Sequence, residues 1–272
     1  MAPADSSAVE LLELARSLAA DAAALLVDGL GRARTTIDTK STGTDMVTEV
    51  DRASERLLVD GILSARPHDG ILGEEGTDRA GTSGVRWIID PLDGTTNYLY
   101  GHAGFAVSIA VQVRGETVAG VVHDPLHHDV FTAVLGAGAH RNDRPVRASG
   151  ETRLAHALVA TGFSYEPVRR ERQADVLRRL VPRIRDIRRM GAASVDLCSV
   201  ACGRVDAYYE RGLHPWDHAA GALVAREAGA LVSHLDGGPE DLDFVLAAPP
   251  GLYEPLRHLL AELGAGEPWA AD

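Results

Sequence analysis

The sequence predicts a mixed α/β chain in which sheets and helices stack in layers around shared cores. Three observations predict it. The stretch from Phe105 to Val146 is a succession of strand patterns divided by Gly-containing turns. The part after about residue 150 alternates helical and strand patterns. No internal repeat, linker or low-complexity segment divides the 272 residues, of which 45% are hydrophobic and 24% charged, so residues 1–272 read as one domain. Within it, 1–150 form an antiparallel-rich half and 151–272 an α/β half.

The elements follow in order. Ser7-Ala-Val-Glu10 is a capping box. Leu11, Leu14, Ala15, Leu18, Ala22, Leu25 and Leu26 then recur at helical spacing until Gly29 and Gly31. A second box, Thr48 to Asp51, opens a helix to about Ala65, which Pro67 ends. Ile71–Gly73 and Arg86–Asp90 read as short buried strands, with a loop from Thr77 to Gly84 between them. Four strands span Phe105–Val113, Glu116–Asp124, Asp129–Leu135 and Ala139–Val146. Then come a strand at Ala157–Phe163, a basic helix around Pro167–Ile184, a helix at Ala192–Cys202 and a strand at Val205–Glu210. A helix at Trp216–Ala228, strands at Ala230–Leu235 and Phe244–Pro249, and a helix near Leu252–Leu263 complete the chain.

Charge narrows the function. Lys+Arg is 27 against Asp+Glu 39, a net charge of −12. Sequence-independent nucleic-acid binding needs a basic surface, and anionic membranes attract basic segments, so neither partner is expected. Such a chain holds an anionic substrate only with cations or aimed backbone amides. The first residues carry neither a basic start nor a continuous apolar run, and no window reaches 18 apolar residues. The expected location is the cytoplasm. Cys198 and Cys202, too few for a disulfide framework, read as small buried core residues.

The strongest chemical signal is Asp90-Pro-Leu-Asp93-Gly94-Thr95-Thr96-Asn97, directly after the apolar Trp87-Ile-Ile. The strand delivers Asp90 to its carboxyl end, and Pro91, with no N–H, makes the chain turn. Asp90 and Asp93 then point into one crevice. Gly94 permits close backbone approach. A helix starting here leaves the Gly94 and Thr95 amides as donors for phosphate. Two carboxylates beside a phosphate require cations between them, and oxygen-only donors point to Mg²⁺.

Gly73-Glu74-Glu75, Asp45-Met-Val-Thr48-Glu-Val-Asp51, Asp206-Ala-Tyr-Tyr-Glu210 and Trp216-Asp217 complete a pattern collinear from Lys40 to about Gly229. With it the chain resembles the inositol monophosphatase family of Mg²⁺-dependent, Li⁺-sensitive phosphatases, and among them the bacterial inositol-1-monophosphatases. The resemblance implies a five-layer αβαβα sandwich, a homodimer, and hydrolysis of inositol monophosphate to myo-inositol and phosphate by a metal-activated water. It implies that Glu74, Asp90 and the Leu92 carbonyl hold a first Mg²⁺. Asp90, Asp93 and Asp217 would hold a second, and a third, weaker ion would lean on Glu74. Asp51 and Thr95 would orient and deprotonate the water. The Gly94 and Thr95 amides, beside Asp93, would meet the phosphate; Gly191, Ala193 and Glu210 would meet the sugar hydroxyls. Lys40, the only lysine, would sit in the family's metal-site loop.

Plainer readings compete. Asp51 also ends a capping box, and Asp217 suits a helix N-terminus by charge alone. Glu75 reads as solvent-facing or as a support for Glu74. His123, His127 and His128 resemble a metal cluster but fall in a hairpin. The Arg169–Arg189 run reads as a solvated or interface helix. The same scaffold serves fructose 1,6-bisphosphate, histidinol phosphate and 3′-phosphoadenosine 5′-phosphate. Glu210 favours a polyol, since a carboxylate accepts from hydroxyls and repels a second phosphate. A non-catalytic, partner-binding relative is the other class of reading, and the presence of both Asp51 and Thr95 argues against it.

Overall fold

The computed structural model describes residues 6–30, 37–39, 46–240 and 243–268. Two helices, α1 (Ser6–Gly29) and α2 (Glu49–Ala65), flank a short antiparallel pair, β1 (Ile37–Thr39) and β2 (Met46–Thr48). An eight-stranded sheet follows from β3 (Gly70–Gly73), β4 (Asp78–Arg79), β5 (Val85–Asp93), β6 (Ala106–Val113), β7 (Glu116–Asp124), β8 (Asp129–Val134), β9 (Gly138–Arg141) and β10 (Arg144–Pro145). Its order is β10-β9-β8-β7-β6-β5-β3-β4, antiparallel except where β3 and β5 run parallel. A short helix, α3 (Thr95–Tyr100), leaves the end of β5.

The second sheet has the order β12-β11-β13-β15-β14. Its strands are β11 (Leu158–Thr161), β12 (Asp186–Arg188), β13 (Ala207–Glu210), β14 (Leu231–Ser233) and β15 (Val245–Ala248), interleaved with α4 (Pro167–Leu180), α5 (Ala193–Ala201), α6 (Pro215–Glu227) and α7 (Pro250–Glu262).

Five layers result. Helices α1 and α2 cover one face of the large sheet, α5 and α6 lie between the two sheets, and α4 and α7 cover the outer face of the small sheet. Each interface has its own core, and strand alternation divides the side chains between them. Trp87 and Ile89 join the core under α1 and α2, whereas Ile88 joins the core under α5 and α6. In the small sheet Val159 and Tyr209 face α4 and α7, while Ala160 and Tyr208 face the middle helices. The core between the large sheet and α6 is rich in small residues, among them Ala106, Ala110, Ala219 and Ala220. They admit close backbone approach: a Cβ on Gly120 would lie 3.2 Å from Ala220 Cα.

The structure departs from the sequence-based expectation at several places, among them the unexpected β1–β2 pair and the division of the Ala139–Val146 strand into β9 and β10. Strand β5 does not turn at Pro91 but continues to Asp93. The basic helix stops at Leu180, and Val181–Arg183 tighten into a 3₁₀ turn containing Pro182. Strand β12, exposed at Asp186 and Arg188, carries no apolar alternation; its place comes from parallel pairing with β11. Strand β4 lies within the expected Thr77–Gly84 loop and pairs with β3. Among the described residues no helix is long and apolar enough to cross a membrane. Lys40 and Asp45 lie outside the described residues.

Candidate active site

The site is built around an irregularity in β5. Asp90 is in register with Ser108 and Asp93 with Ala106, so three steps along β5 match two along β6. This is a β-bulge, which breaks the ladder and re-aims side chains. Pro91 falls in it, where a missing N–H costs no ladder bond. Asp90 Oδ1 accepts from the Leu92 N–H at 3.0 Å, and the buried Ser54 hydroxyl on α2 donates to the Pro91 carbonyl at 3.1 Å. Gly94 then takes a left-handed conformation, φ 90°, and α3 begins. A side chain there would also be blocked, since its Cβ would lie 2.9 Å from the Gly104 carbonyl.

A crevice of about 350 Å³ opens beside the bulge. Glu74, Asp90, Leu92, Asp93, Gly94, Thr95, Gly191, Ala193, Glu210 and Asp217 all line it. Asp51, fully buried in the first turn of α2, stands behind Thr95: its Oδ2 is 3.4 Å from Thr95 Oγ1, which also lies 3.2 Å from the Leu92 carbonyl. Residues separated by up to about two-thirds of the chain thus meet in one place, because β5 and α2 come from the first half and the N-termini of α5 and α6 from the second.

The electrostatics are those of crowded acids. Burial pushes the Asp90 carboxyl well up, and the neighbouring Glu74, Asp93 and Asp217 push it further. Burial lifts Asp93 to about 6 despite two bonds from Ser194, its N–H at 2.8 Å and its hydroxyl at 2.5 Å. Burial and then Glu74 and Asp93 raise Asp217, although its Oδ2 accepts from the His214 N–H at 2.6 Å. Glu210 rises to about 7 through burial, opposed by the Tyr208 hydroxyl and the Arg189 charge. Burying like charges together favours protons or cations among them.

Among the described residues no three His, Cys, Asp or Glu side chains are drawn together closely enough to hold a metal ion by themselves; the donors line the walls of an open crevice. Their chemistry fits a hard divalent cation. Four carboxylates and the Leu92 carbonyl supply oxygen only, and the acids repel one another until positive charge lies between them.

Several supporting residues escaped the sequence reading. Ser194 holds Asp93 from 101 residues away. Glu55 accepts from the Glu75 and Thr77 amides at 2.7 and 3.2 Å and from the Thr77 hydroxyl at 2.7 Å, shaping the turn that carries Glu74. Gly73 makes room for it: a Cβ there would lie 2.5 Å from Glu55 Oε2. Asn97 donates to the Gly104 and Met190 carbonyls, both at 2.7 Å, and so ties α3 to the Gly191 turn. Asn97, inside the Asp90 motif, and Gly73, inside Gly73-Glu74-Glu75, left a local signal; Ser194 and Glu55 left none.

Other expectations need correction. The Arg169–Arg189 segment is not merely a solvated face, since Arg169 and Arg189 line the crevice. Glu75 does not face solvent; its side chain is 5% exposed and lies 4.0 Å from Arg52. The three histidines are dispersed in role: His123 is in β7, and His127 pairs with Asp124 at 2.6 Å. Cys198 is buried and Cys202 partly so, both thiols unbridged.

The chain matches the inositol monophosphatase family over residues 7–265. It is 44% identical to inositol-1-monophosphatase SuhB of Mycobacterium tuberculosis, over 97% of this chain and 98% of that protein. It is 41% identical to Nus factor SuhB of Pasteurella multocida, over 88% and 91%. The structure of extragenic suppressor protein SuhB from Bartonella henselae superposes with a TM-score of 0.88 at 36% identity, covering 92% of this chain and 98% of that one.

Proposed function

The chain belongs to the inositol monophosphatase family, and from that premise we propose that it is a Mg²⁺-dependent phosphomonoesterase acting on inositol monophosphate. One observation carries the reading: Glu74, Asp90, Asp93 and Asp217 converge on a crevice that the Asp51–Thr95 pair adjoins. Glu74, Asp90, the Leu92 carbonyl, Asp93 and Asp217 would hold two to three Mg²⁺ ions. Bound there, the cations would offset the repulsion between carboxylates and a phosphate dianion, lower the pKa of water and stabilise the leaving alkoxide.

The chain's own groups do the rest. The Gly94 and Thr95 amides donate to the phosphate oxygens. Thr95 Oγ1 accepts the proton of the attacking water as its own hydroxyl proton passes to Asp51 Oδ2, which burial keeps from bulk solvent. Gly191 and Ala193 present backbone to the alcohol portion of the ester. Glu210 accepts from its hydroxyls, and Asp217, at the N-terminus of α6, is placed near the departing oxygen. A homodimer is expected from the family.

The name Nus factor SuhB borne by several relatives supports a second reading, in which the chain serves as a partner-binding protein. The Asp51–Thr95 pair and the acid set, retained together, favour catalysis. The test is phosphate release from inositol 1-phosphate, fructose 1,6-bisphosphate, histidinol phosphate and 3′-phosphoadenosine 5′-phosphate. Inositol 1-phosphate should be turned over fastest, only with Mg²⁺, and excess EDTA should abolish it. Undiminished turnover in EDTA would remove the metal reading; no turnover of any ester would favour the second reading.

A further inference from the structure

Glu210 ends β13, and its carboxylate is held from two sides by residues that do not belong to the acid cluster. Tyr208, two positions earlier, shares its face of the strand and is fully buried against the middle helices. The Tyr208 hydroxyl donates to Glu210 Oε2 at 2.7 Å. On the neighbouring strand, β11 runs parallel to β13 with Thr161 opposite Tyr209, so Gly162 comes next beside Glu210. A Cβ on Gly162 would fall 2.0 Å from Glu210 Oε2 and 2.1 Å from both Cδ and Oε1. The carboxylate therefore occupies the space that any side chain at 162 would fill. The two strand ends are locked together, because Thr161 Oγ1 donates to the Tyr209 carbonyl at 2.8 Å. Gly162 and Glu210 both line the crevice, and Tyr208 lies beneath it.

A glutamate side chain has three rotatable bonds, and a carboxylate free to wander selects hydroxyls poorly. Here one oxygen is anchored by a buried donor and the whole group is seated on a glycine. Such support from behind is what holds a recognition group in a productive geometry.

We propose that Tyr208 and Gly162 are positioning residues that fix Glu210 toward the crevice and so set a preference for phosphate esters whose alcohol carries hydroxyls. The proposal rests on the phosphomonoesterase reading above. Tyr208 acts through its hydroxyl, and Gly162 acts by having no side chain.

The test uses the full chain with Mg²⁺ and two substrates, inositol 1-phosphate and p-nitrophenyl phosphate, whose aryl group offers no hydroxyl. Variants are Tyr208→Phe, Gly162→Ala, Glu210→Ala and the double variant of Tyr208→Phe with Glu210→Ala; alanine is used at 210 because a glutamine would keep an oxygen for the Tyr208 hydroxyl. The ratio of kcat/KM for inositol 1-phosphate to that for p-nitrophenyl phosphate should fall about tenfold in each single variant, a factor on the scale of one hydrogen bond to a charged group. The loss should appear in KM more than in kcat. The double variant should fall no further than Glu210→Ala alone, since the hydroxyl has nothing left to position. If Gly162→Ala does not fold, Tyr208→Phe decides alone. An unchanged ratio in Tyr208→Phe, with a fall in Glu210→Ala, overturns the positioning role and leaves Glu210 standing. Equal losses on both substrates would mark Tyr208 as structural only and also overturn it. An unchanged ratio in Glu210→Ala removes Glu210 as a hydroxyl reader and the proposal with it.

Discussion

Asp93 serves two partners at once. Its carboxylate faces the crevice, while Oδ2 takes two hydrogen bonds from Ser194 and so couples β5 to the N-terminus of α5. Replacing Asp93 by Asn keeps an oxygen for Ser194 and removes one charge from a crowded set. Turnover of inositol 1-phosphate should therefore drop by at least about a hundredfold, the loss typical of one preorganised electrostatic group. The fold should survive, with a melting temperature no lower than that of the parent in metal-free buffer. A folded Asp93→Asn protein with near-parental turnover would contradict its assignment to the metal site.

The middle layer places Asp217 and the Ser194 end of α5, so its packing matters to the chemistry. Helices α5 and α6 approach closely at Gly221, where a Cβ would lie 2.8 Å from Leu197 Cβ and 3.1 Å from the Ser194 carbonyl. Two effects oppose each other in Gly221→Ala. Alanine in a helix interior gains roughly 0.5–1 kcal/mol over glycine. Overpacking a filled interface costs about 1–3 kcal/mol, and a backbone carbonyl cannot rotate away as a side-chain tip can. The second effect wins: the variant should unfold at lower urea concentration, with turnover reduced as α6 and Asp217 are displaced. A raised urea midpoint would show that the two helices part without strain.

Taken as one folding unit, the metal-free protein should respond to pH through the acids packed around its crevice. Asp93 stands at about 6 and Glu210 at about 7, each above its ordinary carboxylate value, chiefly because of burial. The folded chain then binds those protons more tightly than the unfolded chain does. Their stabilising effect is complete below about pH 4, where both states are protonated, and is lost as the pH rises through 6 and 7. The exposed acids with lowered values, such as Glu151 at about 2, act oppositely but in a more acidic window. Calorimetry in EDTA should show the melting temperature falling between pH 5 and 8, less steeply in Asp93→Asn. Mg²⁺ should restore stability most above neutral pH, where the acids are charged, because it binds the folded state alone. A melting temperature that rises across this range in EDTA would contradict the burial of these groups.

Local signals made much of this legible. Strand alternation, helical spacing and Gly-containing turns are short-range patterns, and they identified α1, α2, the β6–β10 run and α4 to α7 within a few residues. The Asp90–Asn97 motif is equally local, and with Glu74 and Asp217 it named acids that meet in one crevice. The β-bulge was not legible, because Pro91 reads as a turn until β6 is present to carry the ladder past it. Strand β12 was not legible either, since an exposed edge strand needs no apolar pattern and takes its place from its neighbour. The supports of the site, Ser194 under Asp93, Glu55 against Gly73 and Tyr208 with Gly162 around Glu210, join residues whose chemistry is ordinary in isolation. Residue type and spacing state which groups can ligate or accept. Which oxygen is held, by what donor and in whose vacated space, follows only when distant segments are packed at van der Waals distance, because close packing acts between neighbours in space and leaves no periodic trace along the chain.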